Sequence, residues 1–109
     1  MQYVDFEAGG NAYQLRLNTR NTVALEKLLG KNPVMAVFGN GEELPTVTSM
    51  VQVLHMALQE RHHGISLDKT YDIFDAYLAD GHTPMDFINV VLNVYKTAGL
   101  LSGGGDQKN

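Results

Sequence analysis

The four histidines are the first residues in the sequence to consider for chemistry, because imidazole binds metals and transfers protons near neutral pH. His62 and His63 are adjacent near an expected helix end, where their side chains point about 100° apart and rarely share one ion. His55 and His62 can share a helix face, but no HExxH or H-x-E pattern places a carboxylate beside them. We interpret them as residues favoured by the dipole at a helix C-terminus, and His82 as a loop residue.

Carboxylate pairs are the second candidate for chemistry, since two carboxyl groups can divide acid and base work between them. Asp72 and Asp75 fall on the expected outer face of a helix, and Glu42 and Glu43 fall in a loop, so both pairs are interpreted as solvated surface. The sequence also contains no cysteine, no GxSxG, no Walker loop and no GxGxxG. It therefore predicts a protein that is not an enzyme, without a metal or a cofactor.

Charge and hydropathy narrow the classes of partner. The chain has 8 basic and 12 acidic residues, a net charge of −4, and no basic run, which disfavours nucleic acid. Its apolar runs, such as residues 34–38, are far shorter than the ~20 residues of a spanning helix, so no membrane partner is expected. The N-terminus lacks the charged and apolar blocks of a signal peptide, and we expect a cytoplasmic protein.

The elements that must position these residues begin with a β-hairpin. Side chains alternate between apolar and polar before and after Gly9-Gly10-Asn11, and glycine tolerates the positive φ of a tight hairpin turn. This pattern predicts a hairpin over residues 2–17.

Helical spacing follows, with apolar stripes such as Val47, Val51 and Leu54 or Tyr71, Phe74 and Leu78. Cap signals bound the predicted helices, which cover residues 20–29, 33–38, 47–62, 67–79 and 84–98. The fold class predicted is α+β, mostly α, with an N-terminal β-hairpin packed on a bundle of four to five helices. We expect one globular domain over 1–101, with the helical body at 19–99, and a flexible tail at 102–109.

The last predicted helix is apolar over most of its circumference. Such a helix is either central to its own fold or shared with a partner, and both interpretations stay open. The second one makes this helix and the apolar segment at 34–38 the candidate partner-binding surface, with the residues Phe87, Val90, Val91, Val94, Val34, Met35, Val37 and Phe38.

Four segments, taken in order, resemble those of a known family. They are YQLRL at 13–17, LEKLLGKNP at 25–33, HHGI at 62–65 before Tyr71, and DFI at 86–88 leading to GLL at 99–101. Through their order and spacing the chain resembles the small tail assembly chaperones of long-tailed, siphovirus-type phages and prophages of Gram-positive bacteria.

The resemblance implies a non-enzymatic protein of the host cytoplasm that binds the tape measure protein, keeps it soluble and assists tail tube assembly. The major tail tube protein is a second candidate partner, and a homo-oligomer stays open. Such a chaperone is absent from the mature virion, and the family has no catalytic residues to carry over. Two alternatives from other classes are a structural tail or connector subunit of the virion and a small regulatory protein.

Overall fold

The N-terminal hairpin forms as predicted in the computed structural model, which describes residues 2–39 and 45–101. Strands β1 (Val4–Ala8) and β2 (Asn11–Leu15) pair antiparallel, with Val4 opposite Leu15. Gly9 and Gly10 have φ values of 60° and 82°, the left-handed conformation that a two-residue type I′ turn requires at both positions. The alternating pattern places Phe6, Ala8 and Leu15 on the buried face.

Five helices follow within the described residues, and they confirm the predicted fold class, α+β and mostly α. They are α1 (Thr19–Leu29), α2 (Pro33–Phe38), α3 (Val47–Leu58), α4 (Leu67–Ala79) and α5 (Pro84–Thr97). The predicted tail at 102–109 and the acidic pair Glu42 and Glu43 lie outside the described residues.

Side-chain caps begin these helices where the sequence predicted them. Thr83 accepts from the backbone N–H of Asp86, whose carboxylate accepts from the Thr83 N–H in return, which completes a capping box at α5. Ser66 caps α4 and Thr46 caps α3 without the reciprocal hydrogen bond of a capping box, each through its hydroxyl oxygen, which accepts from a backbone N–H in the first turn.

Helix α3 ends at Leu58, four residues before the predicted end at 62. The Gln59 side chain donates to the Ile65 carbonyl at 2.9 Å and accepts from the Gly64 N–H at 3.2 Å. These two hydrogen bonds hold residues 59–66 in a compact turn. The helix end at 62 was predicted from hydrophobic periodicity, which contains no information about such side-chain hydrogen bonds.

Helix α5 is central to the fold, which decides between the two interpretations left open by its apolar circumference. It packs against α3 and β1, and the Phe87 ring lies edge-on to the Phe6 ring with 5.7 Å between centroids. The buried Tyr95 hydroxyl donates to the Pro33 carbonyl at 3.0 Å and ties α5 to α2. Within the described ranges, no helix is long and apolar enough to span a membrane.

Candidate functional site

The residues predicted to bind a partner divide into a buried and an accessible group. Four of them are at most 1% exposed, and these are Phe87, Val91, Val94 and Val37. For these four the structure corrects the prediction, because this chain's own helices and hairpin already cover them. Of the others, Val34, Phe38 and Val90 are half-buried against the core, and Met35 is 53% exposed.

A groove of about 300 Å³ lies between α3 and α4. We call it the α3–α4 groove and define it by the seven residues that line it, Val47, Thr48, Val51, Gln52, Tyr71, Phe74 and Asp75. Val51 and Phe74 are buried, whereas Val47 and Tyr71 are each 49% exposed. The groove thus has buried apolar residues beneath two large apolar side chains that remain open to solvent.

Helical spacing explains how each wall is built. Val47 and Val51 lie four residues apart on α3, as Tyr71 and Asp75 do on α4, so each pair shares a helix face. The Phe74 ring is held from beneath by Phe87, edge-on at a centroid distance of 5.2 Å. The groove is therefore supported by the aromatic core.

The charge of the α3–α4 groove is acidic on one side only. Asp75 lines it, and Asp68 and Asp72 continue along the outward face of α4, all three exposed as the sequence predicted for Asp72 and Asp75. The ion pairs found in the described ranges involve Glu60 and Asp86 and none of these three carboxylates. On the α3 side the polar lining residues Thr48 and Gln52 carry no charge.

Sequence reasoning missed this groove because it assigned Val47 and Tyr71 to buried stripes. Both residues do lie on the apolar stripe of their helix, but at its margin. Only the crossing of α3 and α4 determines which marginal positions are covered, so no local signal in the sequence could have identified them.

Apart from the groove, a cluster of polar side chains surrounds Glu60 in the turn after α3. Its carboxylate accepts from the Tyr3 hydroxyl at 2.9 Å, from the Arg16 guanidinium at 2.6 Å and from the Asn18 amide at 2.9 Å. Burial raises the pKa of Glu60, but the three hydrogen bonds and the Arg16 charge outweigh burial and hold this pKa below its ordinary value. A carboxylate that is ionised and occupied by three donors joins structural elements and is a poor general base.

His62 also serves the fold. Its Nε2 accepts from the Gln14 backbone N–H at 3.0 Å, and its ring lies edge-on to Tyr13 at 5.3 Å between centroids. Burial, together with the charge of Arg61, lowers the pKa of His62 and favours the neutral ring that this hydrogen bond requires. His62 therefore fastens the turn to the hairpin, a role its sequence position did not indicate.

The other histidines do not join His62 in a common site. His55 Nε2 lies 3.1 Å from the Ile65 carbonyl, and the His82 ring stacks on Tyr77 at 4.3 Å between centroids. In the part of the chain that the structure describes, no group of three His, Asp or Glu residues could hold a metal ion.

Comparison with known proteins identifies one family model, described as a family of unknown function (DUF6096), which matches residues 4–109. Comparison with curated proteins and with solved structures yields no match.

Proposed function

The chain belongs to the DUF6096 family, whose function is unknown, and we propose that it is a non-enzymatic tail assembly chaperone whose α3–α4 groove binds helical segments of a tape measure protein. It acts in the host cytoplasm and leaves before the particle is complete. The sequence resemblance supports the identity of the partner. The observation that carries the binding mode is the pair of half-exposed apolar side chains, Val47 and Tyr71, over the buried Val51 and Phe74.

A groove of this shape suits an amphipathic helix. Helix-in-groove recognition inserts apolar side chains at positions i, i+3 or i+4, and i+7 of the ligand into an apolar channel. A tape measure protein is long, helical and apolar in patches, so its chaperone must accept many similar segments with modest specificity. Apolar contacts provide this tolerance because they are not directional.

The expected affinity of one groove is low. Covering the exposed half of Tyr71 removes about 100 Å² from water, which contributes about 2.5 kcal/mol, and covering half of Val47 adds about 1 kcal/mol. The sum of about 3.5 kcal/mol corresponds to millimolar binding before the costs of association are counted. Such weak contacts favour a chaperone that acts through many copies on one long partner and then dissociates.

The experiment is co-expression of this protein with a tape measure protein, the partner that the resemblance implies, comparing wild type with Tyr71→Ser. Tyr71→Ser removes the apolar contact at an exposed position and should leave the fold intact while lowering the soluble, co-purified fraction of the partner several-fold. Met85→Ser is the matched control, because Met85 is an exposed apolar residue on α5 outside the groove. A folded Tyr71→Ser protein that retains the partner as well as Met85→Ser does would refute the groove as the binding site.

The exposed remainder of the surface predicted from the sequence is tested in the same assay. Met35→Ser replaces its most exposed residue. Loss of the partner with Met35→Ser and not with Tyr71→Ser would transfer the site from the α3–α4 groove to α2.

A further inference from the structure

We propose, resting on the proposed function, that the α3–α4 groove selects amphipathic helices that carry lysine or arginine along the one edge that lies against α4. The observation that carries this is the unequal charge of the two walls. Asp75 lines the α4 wall, whereas the polar residues of the α3 wall are the neutral Thr48 and Gln52.

The acidic wall extends beyond the groove itself. Asp68, Asp72 and Asp75 are spaced by four and three residues, which aligns them along one face of α4 beside Tyr71. All three are exposed, and the ion pairs of the described ranges leave them without a basic partner. Lys69 lies three residues before Asp72, on the flank of α4 away from the groove, and forms none of the ion pairs found in the described ranges.

A ligand helix that buries its apolar stripe in the groove brings its flanking positions over these carboxylates. Basic residues at those positions complete ion pairs at the rim, while acidic residues there are repelled. Since only the α4 wall is charged, a helix with one basic edge can satisfy it in only one direction. The charge of the α4 wall therefore determines the direction of the bound helix as well as which helices bind.

A second copy of this chain is the competing occupant, because exposed Arg20 and Lys27 lie near the apolar Val23 and Leu28 on α1. The exposed Glu26 also flanks Val23 on α1, so this helix does not present a purely basic edge to the acidic wall, and a symmetric pairing of two grooves would place the acidic faces of two α4 helices against each other. The net charge of −4 adds to this repulsion.

The test measures binding of two synthetic helical peptides to the full chain by NMR chemical-shift titration with millimolar peptide, a method suited to weak binding, at low and moderate salt. Both peptides carry the same apolar stripe, and one edge is lysine in the first and glutamine in the second. The lysine peptide should bind roughly three- to tenfold more tightly, the range expected for two or three exposed ion pairs, and salt should reduce the difference. Equal binding of the two peptides, or no binding of the lysine peptide, would overturn the inference.

Variants of the protein locate the effect. Asp72→Asn with Asp75→Asn leaves only Asp68 charged and should remove most of the preference for lysine, whereas Asp5→Asn with Glu26→Gln removes the same charge from exposed positions elsewhere and should preserve it. An equal loss in both double variants would assign the preference to net charge and overturn the proposed role of the rim. Self-association that Tyr71→Ser abolishes would identify a second copy as the occupant and also overturn it. The co-expression result with Tyr71→Ser is independent of peptide charge, so failure of the charge inference is distinguishable from failure of the chaperone function.

Discussion

Replacing Glu60 with alanine should destabilise the protein more than replacing an exposed carboxylate such as Glu7. Its two oxygens receive hydrogen bonds from Tyr3, which precedes β1, from Arg16, which follows β2, and from Asn18, the N-cap of α1. One side chain in the turn after α3 thus connects three points on the N-terminal part of the chain.

The magnitude follows from the number and type of these hydrogen bonds. A hydrogen bond to a charged group contributes about 1.5–3 kcal/mol, but the three share one carboxylate and water can replace some of them. We expect a loss of about 2–4 kcal/mol for Glu60→Ala, a large part of the 5–15 kcal/mol typical of a domain. In a domain of this size that loss lowers Tm by roughly 10–25 °C.

The pH dependence of stability provides an independent check. Because the folded-state pKa of Glu60 lies below the ordinary value of 4.5, its stabilisation is fully present above pH 4.5 and is lost as pH falls through the folded-state pKa. Glu60→Gln preserves the size of the side chain and removes this titration. Its stability should therefore depend less on pH in the acid range.

Urea denaturation of the wild type, Glu60→Ala and Glu60→Gln at pH 7 and at steps down to pH 3 measures both effects. Glu7→Ala is the matched control, because Glu7 is an exposed carboxylate on β1. If Glu60→Ala were as stable as Glu7→Ala, or if Glu60→Gln kept the acid dependence of the wild type, the structural role assigned to Glu60 would be refuted.

Three further predictions concern the core, the hairpin turn and His62. Val94→Asp should unfold the domain, because Val94 is buried and an unpaired charge there costs several kcal/mol; a cooperative melt near the wild-type Tm would contradict its core position. Gly9→Ala should destabilise the protein more than Gly10→Ala in thermal melts. Both residues have positive φ, but a Cβ at Gly9 would lie 3.1 Å from the Ala76 Cβ, whereas a Cβ at Gly10 would face open space. Equal losses would show that the close approach to Ala76 is unimportant. The pKa of His62 is lowered by burial and by a neighbouring charge, so His62 should stabilise the fold above its ordinary pKa of 6.5, and this stabilisation is lost as pH falls through the folded-state pKa. His62→Gln should therefore flatten the change in urea midpoint between pH 7 and 5. An unchanged pH profile would argue against that role.

Much of the fold could be predicted from the sequence because its signals are local. The Gly9-Gly10 turn depends on the backbone freedom of two residues, and the capping box at Thr83 and Asp86 spans a single helical turn. Interactions between residues three or four positions apart are encoded in the order of residue types, so the hairpin and the starts of the helices follow from that order alone.

The end of α3 was predicted less well, because long-range contacts determine it. Glu60 and His62 leave the helical path to bind Arg16 and Gln14, residues more than forty positions earlier in the chain. Hydrophobic periodicity does not indicate that a polar side chain will bind a partner in, or next to, a strand that is distant in sequence.

Only the tertiary structure decided which apolar residues form the candidate site. Hydrophobic periodicity identifies the stripe of a helix that leaves water, but the same pattern describes contact with the chain's own core and contact with a partner. Docking of α5 against α3 and the hairpin buried Phe87 and Val94, whereas the crossing of α3 and α4 left Val47 and Tyr71 half-exposed. Side-chain type determined that these residues would contact an apolar surface. Whether that surface belongs to the chain's own core or stays open to a partner was determined by the relative placement of whole helices, which contacts distant in sequence set.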